Sequence, residues 1–122
     1  MLLPYLKRVV ESAHSRDIYL NFHCCGKVEE FVPLMIEAGA DAWDGQPLND
    51  IWGLYAKYGD RLAMTLNEKV PDISKKEAES WVDNIIAHLE KGKQLIISRR
   101  CMNETACEIM YVKSREFYGR EE

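Results

Sequence analysis

The stretch VEEFVPLMIEAGADAW, residues 28–43, contains one change from a helical to a strand-like pattern of apolar residues. In its first part the apolar residues recur three or four positions apart, which is typical of one face of an amphipathic helix. Gly39 follows, a residue type that often ends helices, and residues 40–43 then read as a short strand. The stretch therefore predicts one helix followed by one strand.

The same alternation continues on both sides of this stretch. The other predicted elements are a helix at 3–13, a strand at 18–22, a helix from Asn49 or Asp50 to Gly59, a strand at 61–66, a helix from Ser74 to Gly92, a strand at 93–98 and a helix at 103–120. Ser74 and Glu77 have the spacing of a capping box, in which each side chain accepts a hydrogen bond from the backbone of the other.

Four short apolar strands separated by helices predict an α/β fold with a parallel sheet, because parallel neighbours need helical crossovers and are buried on both faces. Four strands are too few to close an eight-stranded barrel, and the first element is a helix with no strand before it. We therefore expect a portion of a larger architecture. No Pro-, Gly- or Ser-rich linker interrupts residues 1–122, so we expect one domain.

Composition argues against several classes of protein. The 122 residues carry a net charge of -4 and their basic residues are scattered, apart from Arg99 and Arg100, so no nucleic-acid partner is expected. No apolar run approaches the roughly 20 residues that cross a bilayer, and the N-terminus lacks the order of a signal peptide. We expect a cytoplasmic protein with no membrane partner, whose four cysteines are reduced.

The run NFHCCG, residues 21–26, ends the first apolar stretch and carries the strongest chemical signal. Side chains alternate along a strand, so His23 and Cys25 are expected on one face and Cys24 on the other. Imidazole and thiolate are zinc ligands, and three protein ligands leave a fourth position open for substrate, as in catalytic zinc sites. Cys101, at the end of the last apolar stretch, is the expected third ligand.

Polar residues near the predicted strand ends are candidates for supporting roles. They are Asn21, on the face of His23, then Asp44 and Gln46 after the second strand, and Asn67 and Glu68 after the third. Of these we select Asn21, Asp44, Gln46 and Glu68 as residues that contact substrate or orient a ligand. The alternative for Asp44 and Gln46 is loop or helix-capping chemistry, and the alternative for Glu68 is a solvated loop charge. Cys107 competes with Cys101 as third ligand, although its place in the last predicted helix favours packing.

The segments 23–28 (HCCGKV) and 37–42 (EAGADA), with the later Cys101, resemble the uroporphyrinogen decarboxylase superfamily in its cobalamin-dependent methyltransferase branch. The His-x-Cys-Gly element is the specific part, since true uroporphyrinogen decarboxylases lack this pair. The resemblance implies a (β/α)8 TIM barrel, of which this chain covers the C-terminal third to half. It also implies a zinc ion held by His23, Cys25 and Cys101. In that branch the zinc activates a thiol similar to coenzyme M, which takes a methyl group from the methylcobalamin of a partner corrinoid protein.

Two other interpretations stay open. A half-barrel leaves two sheet edges and an apolar inner face exposed, so the chain would form a homo-oligomer or bind a missing N-terminal half, and it would keep zinc without catalysis. Alternatively the chain belongs to a decarboxylase acting on a porphyrinogen. That interpretation is less favoured because the substrate-binding arginine and aspartate motifs of that family belong to its N-terminal part.

Overall fold

The structure is a computed structural model that describes residues 2–67, 74–98 and 102–119. Helices and strands alternate along these residues. In order they are α1 (Leu3–His14), β1 (Asn21–Cys24), a 3-10 turn (Glu29–Phe31), α2 (Val32–Ala38), β2 (Ala42–Gly45), α3 (Ile51–Tyr58), β3 (Ala63–Leu66), α4 (Lys75–His88), β4 (Leu95–Ile97) and α5 (Glu104–Gly119). The predicted alternation of helices and strands is confirmed.

The four described strands form one sheet in the order β1-β2-β3-β4. β1 pairs with β2 and β2 with β3 in parallel, in a register that places His23 beside Asp44 and Trp43 beside Met64. Each strand therefore neighbours the next strand along the chain, and a helical crossover connects them. The predicted α/β class with a parallel sheet and flanking helices is confirmed.

The described residues divide into two compact units. The first comprises residues 2–67 and 92–96, and the second comprises residues 74–91, 97–98 and 102–119. The first unit therefore contains β1 to β3, α1 to α3 and most of β4, and the second contains α4 and α5. Residues 21–49, which carry most of the predicted site, all belong to the first unit.

The core of the first unit lies around β2 and β3. Trp43 and Met64 are fully buried neighbours on one face of the sheet. On the same face of β1, Phe22 and Cys24 line an apolar pocket with Met35 of α2. Gly45 is required in this core, since a Cβ atom on it would lie 2.6 Å from Cη2 of Trp43.

The first strand begins three residues later than predicted and ends two residues later, at Asn21–Cys24 rather than 18–22. Ile18 and Tyr19 are exposed, Tyr19 by 87%. Backbone pairing begins only at Leu20, whose carbonyl accepts hydrogen bonds from the Asp41 and Ala42 N–H groups. The Leu20 N–H donates to the Asp41 carboxylate. β1 is also exposed on the face of Asn21 and His23, so the expectation that every strand is buried on both faces was wrong.

Other boundaries differ by a few residues. The remaining strands, predicted at 40–43, 61–66 and 93–98, are observed at Ala42–Gly45, Ala63–Leu66 and Leu95–Ile97. α4 ends at His88 rather than Gly92, which instead adopts a φ of 86° in the turn before β4. Such a backbone conformation favours glycine, so the residue marks a turn and not the helix end.

The helix caps agree well with the sequence patterns. Ser74 and Glu77 form the predicted capping box, with both reciprocal hydrogen bonds present. These hydrogen bonds hold the pKa of Glu77 below its usual value. At α3 the cap is Asp50, whose side chain accepts from the Gly53 N–H, and not Asn49. Gly39 ends α2 in the left-handed conformation, as predicted.

In the second unit, α4 and α5 pack together through apolar side chains. Ala78, Val82 and Ile85 of α4 are buried, as are Ala106 and Met110 of α5. Lys113 forms an ion pair with Asp83. None of the described helices has both the length and the apolar character needed to cross a lipid bilayer.

Asp41 links α1 to the start of the sheet and makes stability depend on pH. Burial acts to raise the pKa of Asp41, but the hydrogen bond from Leu20 and the hydrogen bond and charge of His14, 2.8 Å away, together lower it below the usual value. A carboxyl group with a lowered pKa in the folded state stabilises the fold above its unfolded pKa of about 3.9, and that contribution is lost as the pH falls through the folded pKa.

We therefore expect Asp41→Asn to lower the free energy of unfolding at pH 7 by about 1 kcal/mol, a small value because both partners are partly exposed. The difference from the wild type should shrink in urea titrations below about pH 4. Glu79→Gln, at an exposed position of α4, is the control and should change the free energy of unfolding at pH 7 by less than about 0.5 kcal/mol. An Asp41→Asn effect that stays constant into strong acid would contradict this account.

Candidate metal centre

His23 and Cys25 lie together at the carboxyl end of β1. His23 is exposed on the open face of the strand, and Cys25 follows the strand by one residue and is also exposed. The Nε2 atom of His23 lies 3.6 Å from the Sγ atom of Cys25. Cys24 points to the opposite face, into the apolar pocket beside Phe22. The alternation of faces expected from the sequence is thus present at these three residues.

The distance between the two donor atoms suits a zinc ion. Zinc binds imidazole nitrogen at about 2.0–2.1 Å and thiolate sulfur at about 2.3 Å with tetrahedral geometry, so two such ligands stand about 3.6 Å apart. The observed separation of 3.6 Å matches that value without any rearrangement of the loop. The same distance is also compatible with a thiol–imidazole hydrogen bond. The donor pair therefore fits zinc in chemistry and in spacing.

The other nitrogen of His23 is held by Asp44 of β2. Nδ1 lies 3.0 Å from the Asp44 carbonyl oxygen and 3.3 Å from its Oδ2 atom. Nδ1 is therefore the donor, which leaves the lone pair on Nε2, beside Cys25. Hydrogen bonding of the second ring nitrogen to a carboxylate or carbonyl is what metal-binding histidines commonly show. Asp44 was predicted as a residue that contacts substrate or steadies the site, and the structure places it against Nδ1 of His23.

Asn67, directly after β3, extends this chain of contacts across a third strand. Its side-chain amide donates to Oδ1 of Asp44 and, at 2.8 Å, to the carbonyl oxygen of Gly45. Both hydrogens of the amide are thus directed at the end of β2. The sequence indicated Asn67 only as a polar residue after a strand, because nothing local distinguishes it from a loop asparagine.

Asn49 holds the loop that carries Cys25. It is 4% exposed, and its Oδ1 accepts from the Val28 N–H while its Nδ2 donates to the carbonyl oxygens of Gly26 and Gln46. The sequence suggested Asn49 or Asp50 as a helix cap, and no pattern in the sequence indicated that Asn49 holds this loop.

Gln46 also hydrogen-bonds to the loop that follows Cys25. Its Oε1 accepts from the Gly26 N–H at 2.7 Å. We predicted Gln46 as a residue that contacts substrate or steadies the site, and the structure places its side chain against the loop after Cys25. Gly26 itself has a φ of 86°, a conformation that glycine adopts without strain.

The remaining candidates are distributed differently. Asn21 is exposed on the same face of β1 as His23. Cys107 is half-buried in α5, inside the helix that was predicted for it. Cys101 and Glu68 lie outside the residues that the structure describes.

Within residues 2–67, 74–98 and 102–119, no group of three or more His, Cys, Asp or Glu side chains could hold a metal ion. Cys24, Cys25 and Cys107 are free thiols.

Comparison of this chain with protein-family models, with curated proteins and with solved structures finds no match.

Proposed function

We propose that this chain carries the zinc-binding part of a methyltransferase that moves a methyl group from a methylated corrinoid to a thiol or similar acceptor. The proposal joins the resemblance of residues 23–28 to the corrinoid branch of the uroporphyrinogen decarboxylase superfamily with one observation. That observation is the 3.6 Å separation of His23 Nε2 and Cys25 Sγ, which is the spacing of two ligands on one zinc ion.

In this proposal His23, Cys25 and, by similarity, Cys101 would hold a zinc ion, to which the acceptor thiol would bind. Zinc bound there would remove the proton of the thiol near neutral pH and keep its sulfur nucleophilic. A methylated corrinoid would supply the methyl group to this sulfur and keep the electron pair of the broken bond, and the thiol proton would pass to solvent. In the proposal Asp44 orients His23 through its contacts with Nδ1, and the exposed Asn21 contacts the acceptor.

The proposed architecture is the C-terminal portion of a (β/α)8 barrel. Strands that follow one another in the sheet in chain order are what a segment of such a barrel contains. Phe22 and Cys24 on one face of β1 line the pocket shared with α2, while Asn21 and His23 face the other way, as side chains at the inner face of a barrel do. The carboxyl ends of barrel strands form the functional face, and His23, Asp44 and Asn67 all lie at such ends.

The test is anaerobic purification followed by elemental analysis and a methyl-transfer assay. We expect about one zinc ion per chain. We also expect methyl transfer from methylcobalamin to a small thiol such as 2-mercaptoethanesulfonate, which is measured as the loss of methylcobalamin absorbance. Removal of zinc with a chelator should abolish the transfer and added zinc should restore it. A chain that takes up no zinc, even when zinc is supplied during purification, would contradict the proposal.

A second candidate is a metal-binding half-barrel that associates and has no activity alone. Its support is one edge of the sheet: β1 is one of the two edge strands among the described strands, and the adjacent Ile18 and Tyr19 are exposed by 54% and 87%. An unpaired strand edge beside exposed apolar side chains favours association with a second copy or with a further segment of barrel. Zinc binding without methyl transfer, together with an oligomeric mass by light scattering, would favour this candidate.

A further inference from the structure

The three contacts His23–Asp44, Asp44–Asn67 and Asn67–Gly45 form a connected relay across the carboxyl ends of three strands. Its members are 21 to 23 positions apart in pairs, so only the sheet brings them together. At one end, Nε2 of His23 faces Cys25. At the other end, the Asn67 amide donates one hydrogen to Asp44 and the other to Gly45, so its orientation is fixed.

The relay determines which ring nitrogen of His23 is available. Asp44 offers Nδ1 two acceptors, its carbonyl oxygen at 3.0 Å and its Oδ2 at 3.3 Å. The carbonyl is fixed by the strand, but the carboxylate belongs to a side chain that is 31% exposed and would otherwise rotate. Asn67 donates to the other carboxylate oxygen, Oδ1, and so holds Oδ2 toward His23. Imidazole presents a lone pair on only one nitrogen when it is neutral.

We propose that Asn67 is a positioning residue of the metal centre, which acts through Asp44 to keep the proton of neutral His23 on Nδ1 and the lone pair of Nε2 directed at the metal. The proposal rests on the zinc function proposed above. A merely structural Asn67 would join β3 to β2 through the Gly45 carbonyl and would leave the His23 ring unaffected. The state of the His23 ring therefore separates the two roles.

The experiment compares the wild type with Asn67→Ala, and uses Asn84→Ala, at an exposed position of α4, as the matched control. The first readout is the tautomer of His23 in the zinc-free chain, measured from imidazole ¹⁵N chemical shifts at about pH 8, where an ordinary histidine is neutral. The second readout is zinc affinity, measured by competition with a chromophoric chelator. The third is the absorption spectrum of the Co²⁺-loaded chain, which reports ligand geometry.

We expect the Nδ1–H tautomer in the wild type and in Asn84→Ala, and a mixture of tautomers in Asn67→Ala. Zinc affinity should fall about tenfold in Asn67→Ala, the lower range for the loss of an outer contact to a metal ligand, and the Co²⁺ spectrum should change. Asp44→Asn keeps the size of the side chain and should also give a mixture of His23 tautomers. It replaces Asn67→Ala in the comparison if Asn67→Ala does not fold.

Retention of the Nδ1–H tautomer and of wild-type zinc affinity in both Asn67→Ala and Asp44→Asn would overturn the relay. A wild type that binds no zinc would instead defeat the proposed function. The tautomer comparison in the zinc-free chain would still decide the role of Asn67.

Discussion

His23→Ala and Cys25→Ala are each expected to abolish stoichiometric zinc binding, whereas Cys24→Ala is expected to retain it. Structural zinc sites of four ligands bind with about 10–16 kcal/mol, or very roughly 3 kcal/mol for each ligand. Loss of one ligand should therefore weaken binding at least about 100-fold. Cys24 makes no such contribution because it faces the apolar pocket beside Phe22.

The measurement is zinc content by elemental analysis after dialysis against a weak chelator, for the wild type and the three variants in parallel. Cys24→Ala is the matched control, since it removes a thiol one residue from Cys25 and leaves the exposed face of β1 unchanged. Circular dichroism should show that all variants keep the wild-type helix content. Equal loss of zinc from all three variants would refute the assignment of His23 and Cys25 to one face.

Asn49→Ala is expected to destabilise the first unit by about 3 kcal/mol, because it leaves two partly buried backbone groups, the Val28 N–H and the Gly26 carbonyl, without their partner. The Gln46 carbonyl loses one hydrogen bond and keeps the one from the Asn49 N–H. That loss is a large share of the roughly 5–15 kcal/mol that stabilises a typical domain, and it should lower the Tm by roughly 10 °C. Zinc affinity should also fall, since the loop after Cys25 loses its anchor.

Urea and thermal unfolding would measure the change, with Asn84→Ala as the control. Asn84 is exposed on α4, and its replacement should alter the free energy of unfolding by less than about 0.5 kcal/mol. Asn49→Asp tests the donor contacts separately, because a carboxylate keeps the acceptor for Val28 but places negative charge beside two carbonyl oxygens. An Asn49→Ala protein as stable as the control would show that the loop contacts are replaced by water at no cost.

Local patterns predicted the elements better than their ends. The capping box at Ser74 and the helix stop at Gly39 were correct because both depend on residues that are neighbours in the chain. The predicted start of β1 was wrong because Ile18 and Tyr19, although apolar, come before Leu20, the first residue that pairs with the chain at Asp41. Apolar character indicates that a segment can form a strand, and pairing decides where the strand begins.

The candidate site shows the same division. The pairing of His23 with Cys25, and the separation of Cys24 from both, were predicted because alternation along a strand is a local property. The role of Asp44 was predicted only as one of two possibilities. For the cap of α3 the sequence left Asn49 and Asp50 open, and the cap is Asp50. An asparagine before an apolar helix has the cap pattern whether or not its side chain turns to another loop.

The sequence by itself determined the α/β alternation, the helix caps and the common face of His23 and Cys25, because each of these follows from residues within four positions of one another. Only the tertiary structure decided that Asp44 meets His23, that Asn67 meets Asp44 and that Asn49 holds the Cys25 loop. Those partners lie more than 20 positions apart, and a parallel strand register joins them. That register depends on burial across the whole sheet, because a shift of one residue would turn every side chain of the shifted strand to the opposite face.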